Sequence, residues 1–303
     1  MSKKDFLALT DFDKDTLMGI IRRAQELKAG QQPDCEEGKA LALIFTKAST
    51  RTNVSFQRAI QKLGGHALYL GAETLQLSRG ETISDTAHTL ARYVDCIMIR
   101  TYSHQDVQDL AEASAVPVIN GLTDLLHPCQ AMGDIMSMVE VKGTDFENLK
   151  VAFIGDGNNV CNSLINAAGI FGFQLRIACP GGYEPAREII TPMKEKNSKI
   201  TVVEDPVEAV IDADVVYTDV WVSMGDESES NDKKSKFRKY QVNSDLLEKA
   251  NPLAIVMHCL PAHRGEEITD DVMDGANSYV FDQAENRMHI QESILEYLLQ
   301  VEE

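Results

Sequence analysis

The sequence is poor in positive charge, has no long apolar run and pairs none of its cysteines in a CxxC motif. Lys and Arg total 29 against 47 Asp and Glu, a formal net charge of −18. That balance excludes a broad nucleic-acid or anionic-membrane surface, because such binding relies on clustered cations. No apolar stretch approaches the roughly 20 residues that cross a bilayer. The first residues, Met-Ser-Lys-Lys-Asp, lead into an acidic amphipathic stretch rather than an apolar signal core. A cytoplasmic protein is therefore expected, with no nucleic-acid and no membrane partner. Cys35, Cys96, Cys129, Cys161, Cys179 and Cys259 are scattered, which suits reduced thiols rather than a disulfide framework or a zinc site. Neither a metal nor a cofactor is expected. Internal repeats and low-complexity segments are also lacking, and tryptophan occurs once, at 221.

What is present is ordinary globular material, 44% apolar and 25% charged over 303 residues, enough for two domains with separate cores. Leu17, Ile20, Ile21, Ala24 and Leu27 recur at helical spacing after Asp13 and Asp15, and Gly30 ends that helix. Thereafter apolar strand candidates alternate with helical stretches. The first series lies at 40–45, 66–70, 96–100 and 116–119. The second lies at 151–155, 175–179, 200–203, 215–218, 254–258 and 279–281. Such alternation predicts an α/β protein of two domains, each a parallel sheet flanked by helices, with the active site in the cleft between them. The boundary is placed in the helical segment 131–141, giving domains at 1–136 and 137–284. A C-terminal helix within 285–303 is expected to pack back on the first, and a long loop is expected over 226–235.

In open parallel sheets ligands bind beyond the carboxyl ends of the strands, and the chemistry-bearing motifs fall there. Ser49-Thr50-Arg51-Thr52 lies between a strand run and a helix run. A helix start offers unpaired N–H groups and the positive end of the dipole, to which hydroxyls and a guanidinium fork add donors for a phosphate. An ordinary Ser/Thr cap is the competing reading. His127-Pro128-Cys129-Gln130 opens a helix, with His127 and Gln130 on one face; a structural histidine and a packed Cys129 thiol compete with a ligand site.

Gly155-Asp156-Gly157-Asn158-Asn159-Val160 invites a dinucleotide reading, but Val160 stands where the third glycine belongs and Cys179-Pro180 replaces the acid expected to hold a ribose. The two asparagines suit a small polar ligand instead. Asp219 through Ser223, Met224 and Gly225 pairs a strand-end carboxylate with a glycine-hinged loop, and Trp221 is hard to assign to a routine turn. His258-Cys259-Leu260-Pro261 puts a thiol at a strand end, either a nucleophile or a buried structural group.

In this order, Ser49-Thr50-Arg51-Thr52, Arg100-Thr101, His127-Pro128-Cys129-Gln130, Asp219 with Ser223-Met224-Gly225, and His258-Cys259-Leu260-Pro261 resemble the aspartate and ornithine carbamoyltransferase family across essentially the whole chain. The ornithine branch fits best, since the aspartate branch resembles His-Pro-Leu-Pro at the last motif. The resemblance implies transfer of the carbamoyl group of carbamoyl phosphate to the δ-amine of L-ornithine, giving L-citrulline and phosphate, in arginine metabolism and its biosynthesis. It also implies a homotrimer or a multiple of one.

By motif match, Ser49, Thr50, Arg51, Thr52 and Arg100 would hold the phosphate, and His127 and Gln130 the carbamoyl group. Gln76 would be offered to a neighbouring subunit, and Arg287 would contact carbamoyl phosphate. Cys259 and Leu260 would lie beside the transferring group. Asn159, Asp219, Ser223 and Met224 would bind ornithine. Catalysis would fall to Arg51, Arg100, His127, Asp219 and Cys259. Thr46, Asn53 and Gln57 stand where the family has Glu, Arg and Glu, and the three are expected to mark one charge cluster neutralised together. Competing readings are an acceptor such as putrescine or an acylated ornithine, an NAD-dependent dehydrogenase, and a noncatalytic amino-acid-binding paralogue.

Overall fold

The computed structural model describes residues 3–34, 37–76, 80–222 and 230–300. It divides into two compact units, one of residues 1–136 with 286–303 and one of residues 137–285. Each is built around a parallel sheet flanked by helices.

The first unit contains α1 (Lys14–Lys28), β1 (Ala40–Phe45), α2 (Thr50–Lys62), β2 (His66–Gly71), α3 (Ile83–Leu90), β3 (Cys96–Arg100), α4 (His104–Ala113) and β4 (Val118–Leu122). Its strand order is β2-β1-β3-β4. All six residues of β1 are buried, which is why the strand reads as an unbroken apolar run rather than an alternating one. The strand expected at 116–119 begins instead at Val118, after Pro117, whose ring nitrogen has no hydrogen to give a ladder. It then runs on to Leu122 by a register shift opposite Ile99 and Arg100.

The chain leaves this unit within α5 (Pro128–Lys142). The second unit holds β5 (Lys150–Ile154), α6 (Asn159–Phe171), β6 (Gln174–Ala178), α7 (Arg187–Lys196), β7 (Ile200–Val203), α8 (Pro206–Val210), β8 (Val215–Thr218), α9 (Ser230–Phe237), α10 (Ser244–Leu247), β9 (Ile255–His258) and α11 (Asp270–Met273). Its order is β7-β6-β5-β8-β9. The chain returns within α12 (Val280–Leu299). Strand order reverses beside β1 in one sheet and beside β5 in the other, so each unit has one crevice at its strand ends where successive crossovers diverge.

Two expectations are corrected. The apolar run at 279–281 is not a strand: it makes a single bridge beside β9, through Ser278 to Val256, and then opens α12 with Val280 buried and Phe281 exposed. Burial on one side of a helix produces the same three apolar letters as a short strand. The loop expected over 226–235 is helical from Ser230, while 226–229 lie outside the described residues. Phe237 anchors that helix in the core of the second unit against Trp221, Tyr183 and Tyr240. Trp221 is thus a core residue.

In the first unit, α12 is tied down by ion pairs. The Glu296 carboxylate, only 1% exposed, accepts from Arg23 Nε at 2.6 Å, Arg23 Nη2 at 2.9 Å and the Asp34 N–H at 2.5 Å. Glu292 pairs with Lys62 at 2.6 Å; burial alone would raise its carboxyl, but the hydrogen bonds from His289 and Lys62 outweigh burial and hold it below the ordinary value. Among the described residues no helix is long and apolar enough to cross a membrane. Glu296→Ala is expected to reduce stability by about 1.5–3 kcal/mol, the range for hydrogen bonds to a charged group. The urea midpoint followed by circular dichroism measures this, and an unchanged midpoint would show that the bonds contribute nothing net.

Candidate functional site

In the first unit the turn after β1 enters α2 at Ser49, whose backbone is extended and whose Oγ accepts from the Thr52 N–H at 3.2 Å. The cap reading is therefore realised, and it leaves the Ser49 hydroxyl hydrogen and the first N–H groups of α2 to serve an anion as well. Thr52 is 1% exposed and its Oγ1 has no hydrogen-bond partner among the described residues, an arrangement that normally carries a cost unless a ligand satisfies it. Arg51 is half-buried and Thr50 exposed. The turn is set by β3, since the Arg100 carbonyl accepts from the Thr46 N–H at 3.0 Å and the Lys47 N–H at 3.4 Å. Arg100 itself, the last residue of β3, is buried.

Thr46, Asn53 and Gln57, expected to mark one charge cluster neutralised together, take these partners in the present chain. Gln57 Nε2 donates to Asn53 Oδ1 at 2.6 Å one helical turn away, whereas Thr46 Oγ1 donates to Thr101 Oγ1 at 2.8 Å. Lys47 pairs with Asp124 at 3.0 Å and lies over the Tyr102 ring.

His127, Gln130 and Arg287 are all buried. Gly133 permits this, because a Cβ there would come within 3.2 Å of the Arg287 backbone where α12 passes α5. Arg287 Nη1 donates to Gln130 Oε1 at 2.9 Å, and Gln130 Nε2 donates to Asp134 Oδ1 at 2.8 Å. Burial, reinforced by the neighbouring Arg100 and Arg287 charges, holds His127 well below the ordinary histidine value. The imidazole is therefore neutral near neutral pH and can donate to a carbonyl oxygen without bringing a charge. Cys129, by contrast, is a packed thiol pushed up to about 12, chiefly by burial. Gln76 lies exposed in the connection from β2 to α3, outside this network.

In the second unit the site forms where β5 and β8 diverge. Asn158 caps α6, its Oδ1 accepting from the Val160 and Cys161 N–H groups, while its Nδ2 donates to Asp219 Oδ2 at 2.7 Å. Asp219 Oδ1 accepts from the Val220 N–H at 2.8 Å and from the Cys259 thiol at 2.9 Å. Asn159, the expected ligand, is the first residue of the helix and is half-buried. Ser223, Met224 and Gly225 lie outside the described residues.

The glycine pattern is used for packing: a Cβ on Gly157 would meet Pro185 N at 2.3 Å and Glu184 C at 2.5 Å. The chain's own 183–185 segment therefore fills the approach that a dinucleotide pyrophosphate requires. Asp156 pairs with Lys233 of α9 at 2.5 Å. His258 is committed to structure, its Nδ1 accepting from the Leu260 N–H at 2.9 Å and its Nε2 facing Glu267 Oε1 at 3.1 Å, both side chains fully buried. These bonds support Leu260 in the left-handed region at φ 60°, an uncommon conformation for a branched residue. Leu260 and Cys259 thus sit on a braced turn beside Asp219.

Two profiles of known domains match the chain: the carbamoyl-P binding domain of aspartate/ornithine carbamoyltransferases over residues 4–140, and their Asp/Orn binding domain over 147–298. The chain belongs to the aspartate/ornithine carbamoyltransferase family. It is 51% identical to an ornithine carbamoyltransferase of Methanoculleus marisnigri, covering 98% of this chain and 97% of that one. It is also 51% identical to a Pyrococcus furiosus protein named as an anabolic ornithine carbamoyltransferase, with 97% and 96% covered. The solved structure of the ornithine carbamoyltransferase from P. furiosus superposes with a TM-score of 0.92 over 97% of this chain and 96% of that one. An anabolic ornithine carbamoyltransferase from Campylobacter jejuni gives 0.92 at 40% identity, covering 97% and 98%.

Sequence reasoning weighed Asn158 only together with Asn159 and missed Asp134 and the Asp156–Lys233 pair. A lone acid in the apolar stretch of α5 was the available signal for Asp134, since a carboxylate there must be buried and partnered.

The depressed His127 has a consequence for stability. Below the ordinary histidine pKa of about 6.5 the unfolded chain binds a proton that folded His127 does not, so stability falls as pH drops through that value. His127→Gln is expected to remove up to about 1.4 kcal/mol per pH unit of that slope between pH 6 and 5. Urea titrations at stepped pH measure the slope, and equal slopes in the two proteins would show that His127 protonates normally.

Proposed function

We propose that the protein is an ornithine carbamoyltransferase, converting carbamoyl phosphate and L-ornithine to L-citrulline and phosphate. The near-full-length likeness to proteins of that name carries the reading. Ser49, Thr50, Arg51, Thr52, Arg100 and Arg287 bind carbamoyl phosphate, with His127 and Gln130 on its carbamoyl group. Locally converging arginines suffice for a dianion despite the net charge of −18, because distant acids are screened beyond about 8–10 Å.

Transfer needs a neutral amine. An alkyl ammonium with a pKa of about 10.4 is only about 1 part in 2500 deprotonated at pH 7, equivalent to about 4.6 kcal/mol. The acceptor site therefore has to favour the neutral δ-amine while keeping the α-ammonium charged. Asp219 and Ser223 hold the α-ammonium, Asn159 the α-carboxylate, and Met224 lines the site, leaving the δ-amine beside Cys259 and Leu260. Attack on the carbonyl carbon forms the C–N bond and pushes charge onto the carbonyl oxygen; the C–O bond to phosphate then breaks, and the proton lost from the δ-amine leaves with the phosphate. The neutral His127 donor and the Arg51, Arg100 and Thr52 donors stabilise that charge, each preorganised donor contributing about 2.7–4 kcal/mol to lowering the barrier. Phosphate is already a competent leaving group, so Cys259 need not form a covalent intermediate.

The active unit is a homotrimer, with Gln76 offered to the neighbouring subunit. In support, β2 is an edge strand that exposes Leu68 and Tyr69, and an apolar edge of this kind is normally covered.

The deciding assay is citrulline formation from carbamoyl phosphate with ornithine, run against putrescine, acetylornithine and aspartate. Ornithine is expected to be preferred by at least tenfold in kcat/KM, and preference for another amine would overturn the reading. Arg51→Gly is expected to abolish carbamoyl-phosphate binding in calorimetry; unchanged binding would remove the phosphate assignment. Light scattering should give a mass about three times the 33.5 kDa chain, and a monomer at working concentration would refute the trimer.

A further inference from the structure

Asp134 is fully buried and makes no part of the chemistry described above, yet a chain of directed hydrogen bonds from the carbamoyl-phosphate half-site reaches it. His127 precedes α5, Gln130 lies three residues on, and Asp134 lies four beyond that, so the three project along one face of the helix. Gln130 is 1% exposed, with its amide held at both ends: Nε2 donates to Asp134 Oδ1 at 2.8 Å and Oε1 accepts from Arg287 Nη1 at 2.9 Å. The two ends of a glutamine amide have nearly the same shape but opposite hydrogen-bonding character. Free of these partners, Gln130 could turn over and present an N–H where an oxygen is wanted. With them, reversal would set N–H groups against a guanidinium and an oxygen against a carboxylate.

Resting on the carbamoyltransferase reading, we propose that Asp134 is the positioning residue that fixes the sense of the Gln130 amide. The second lone pair of Gln130 Oε1 then faces the substrate as an acceptor for the carbamoyl N–H, while Arg287 keeps its place beside it. The carboxylate never touches substrate. It acts through Gln130, and through Gln130 it selects a ligand carrying an amide-like NH2 over one that offers only a methyl group at that position, such as acetyl phosphate.

The test is a double-mutant cycle. Wild-type citrulline formation, measured first, tests the proposed function on its own. Asp134→Ala is then expected to lower kcat/KM for carbamoyl phosphate by roughly 10–100-fold, the scale of a misplaced contact, with the KM for ornithine little changed. In a Gln130→Ala background the same substitution should cost less than about threefold, because the group through which it acts is gone. Calorimetric affinities for carbamoyl phosphate and acetyl phosphate should converge in Asp134→Ala. Equal losses in the two backgrounds, or an undiminished preference for carbamoyl phosphate, would overturn the inference and leave Asp134 a packing residue. Should Asp134→Ala not fold, Asp134→Asn carries the test. It keeps an acceptor toward Gln130 and is expected to stay within about fivefold of wild type with the ligand preference intact; loss of that preference would equally overturn the proposal.

Discussion

Both units obey one constraint of parallel sheets: where strand order reverses, the chain turns away in opposite directions and leaves an open crevice at the strand ends. In the first sheet this happens beside β1 and β3, and the Thr46–Thr52 turn and Arg100 sit there. In the second it happens beside β5 and β8, where the Asn158 cap meets Asp219. Helix starts placed at such points supply N–H groups in fixed directions. The side chains then need only add charge and shape.

Charge is handled differently in the two units. The first collects buried arginines and keeps its histidine neutral, a field suited to a dianion and to negative charge that develops during reaction. The second centres on a carboxylate whose oxygens are already met by an amide, a backbone N–H and a thiol. Those three bonds hold Asp219 in one orientation and leave acceptor capacity for a cationic guest.

The alternation of elements was legible because strands buried on both faces leave uninterrupted apolar runs such as that of β1. The run at 279–281 failed for the same reason, since three apolar letters look alike at a strand and at the buried side of a helix start. At the site, residue types were easier to read than exact positions. Of two neighbouring asparagines the structure makes Asn158 the cap and bonds it to Asp219, a distinction decided by a one-residue difference in where α6 begins. Asp134 escaped notice because its signal, an acid in an apolar stretch of helix, lies outside the motifs that mark ligand contacts. The glycine pair of residues 155 and 157 was discounted for what followed it in the chain, whereas the structure supplies the more direct reason, the 183–185 segment packed on Gly157.

The first unit is discontinuous, closed by residues 286–303, whereas the second is a single uninterrupted stretch. On the ribosome this inverts the usual order of events, in which the N-terminal part settles first. Arg23, Lys62 and Gln130 are synthesised long before Glu296, Glu292 and Arg287, the partners they bond in the finished fold. The phosphate-binding half can therefore reach its final form only after the last helix has left the exit tunnel, when the other half has already had all of its own residues to work with. A truncated or stalled chain would carry a ready acceptor half and an unfinished donor half.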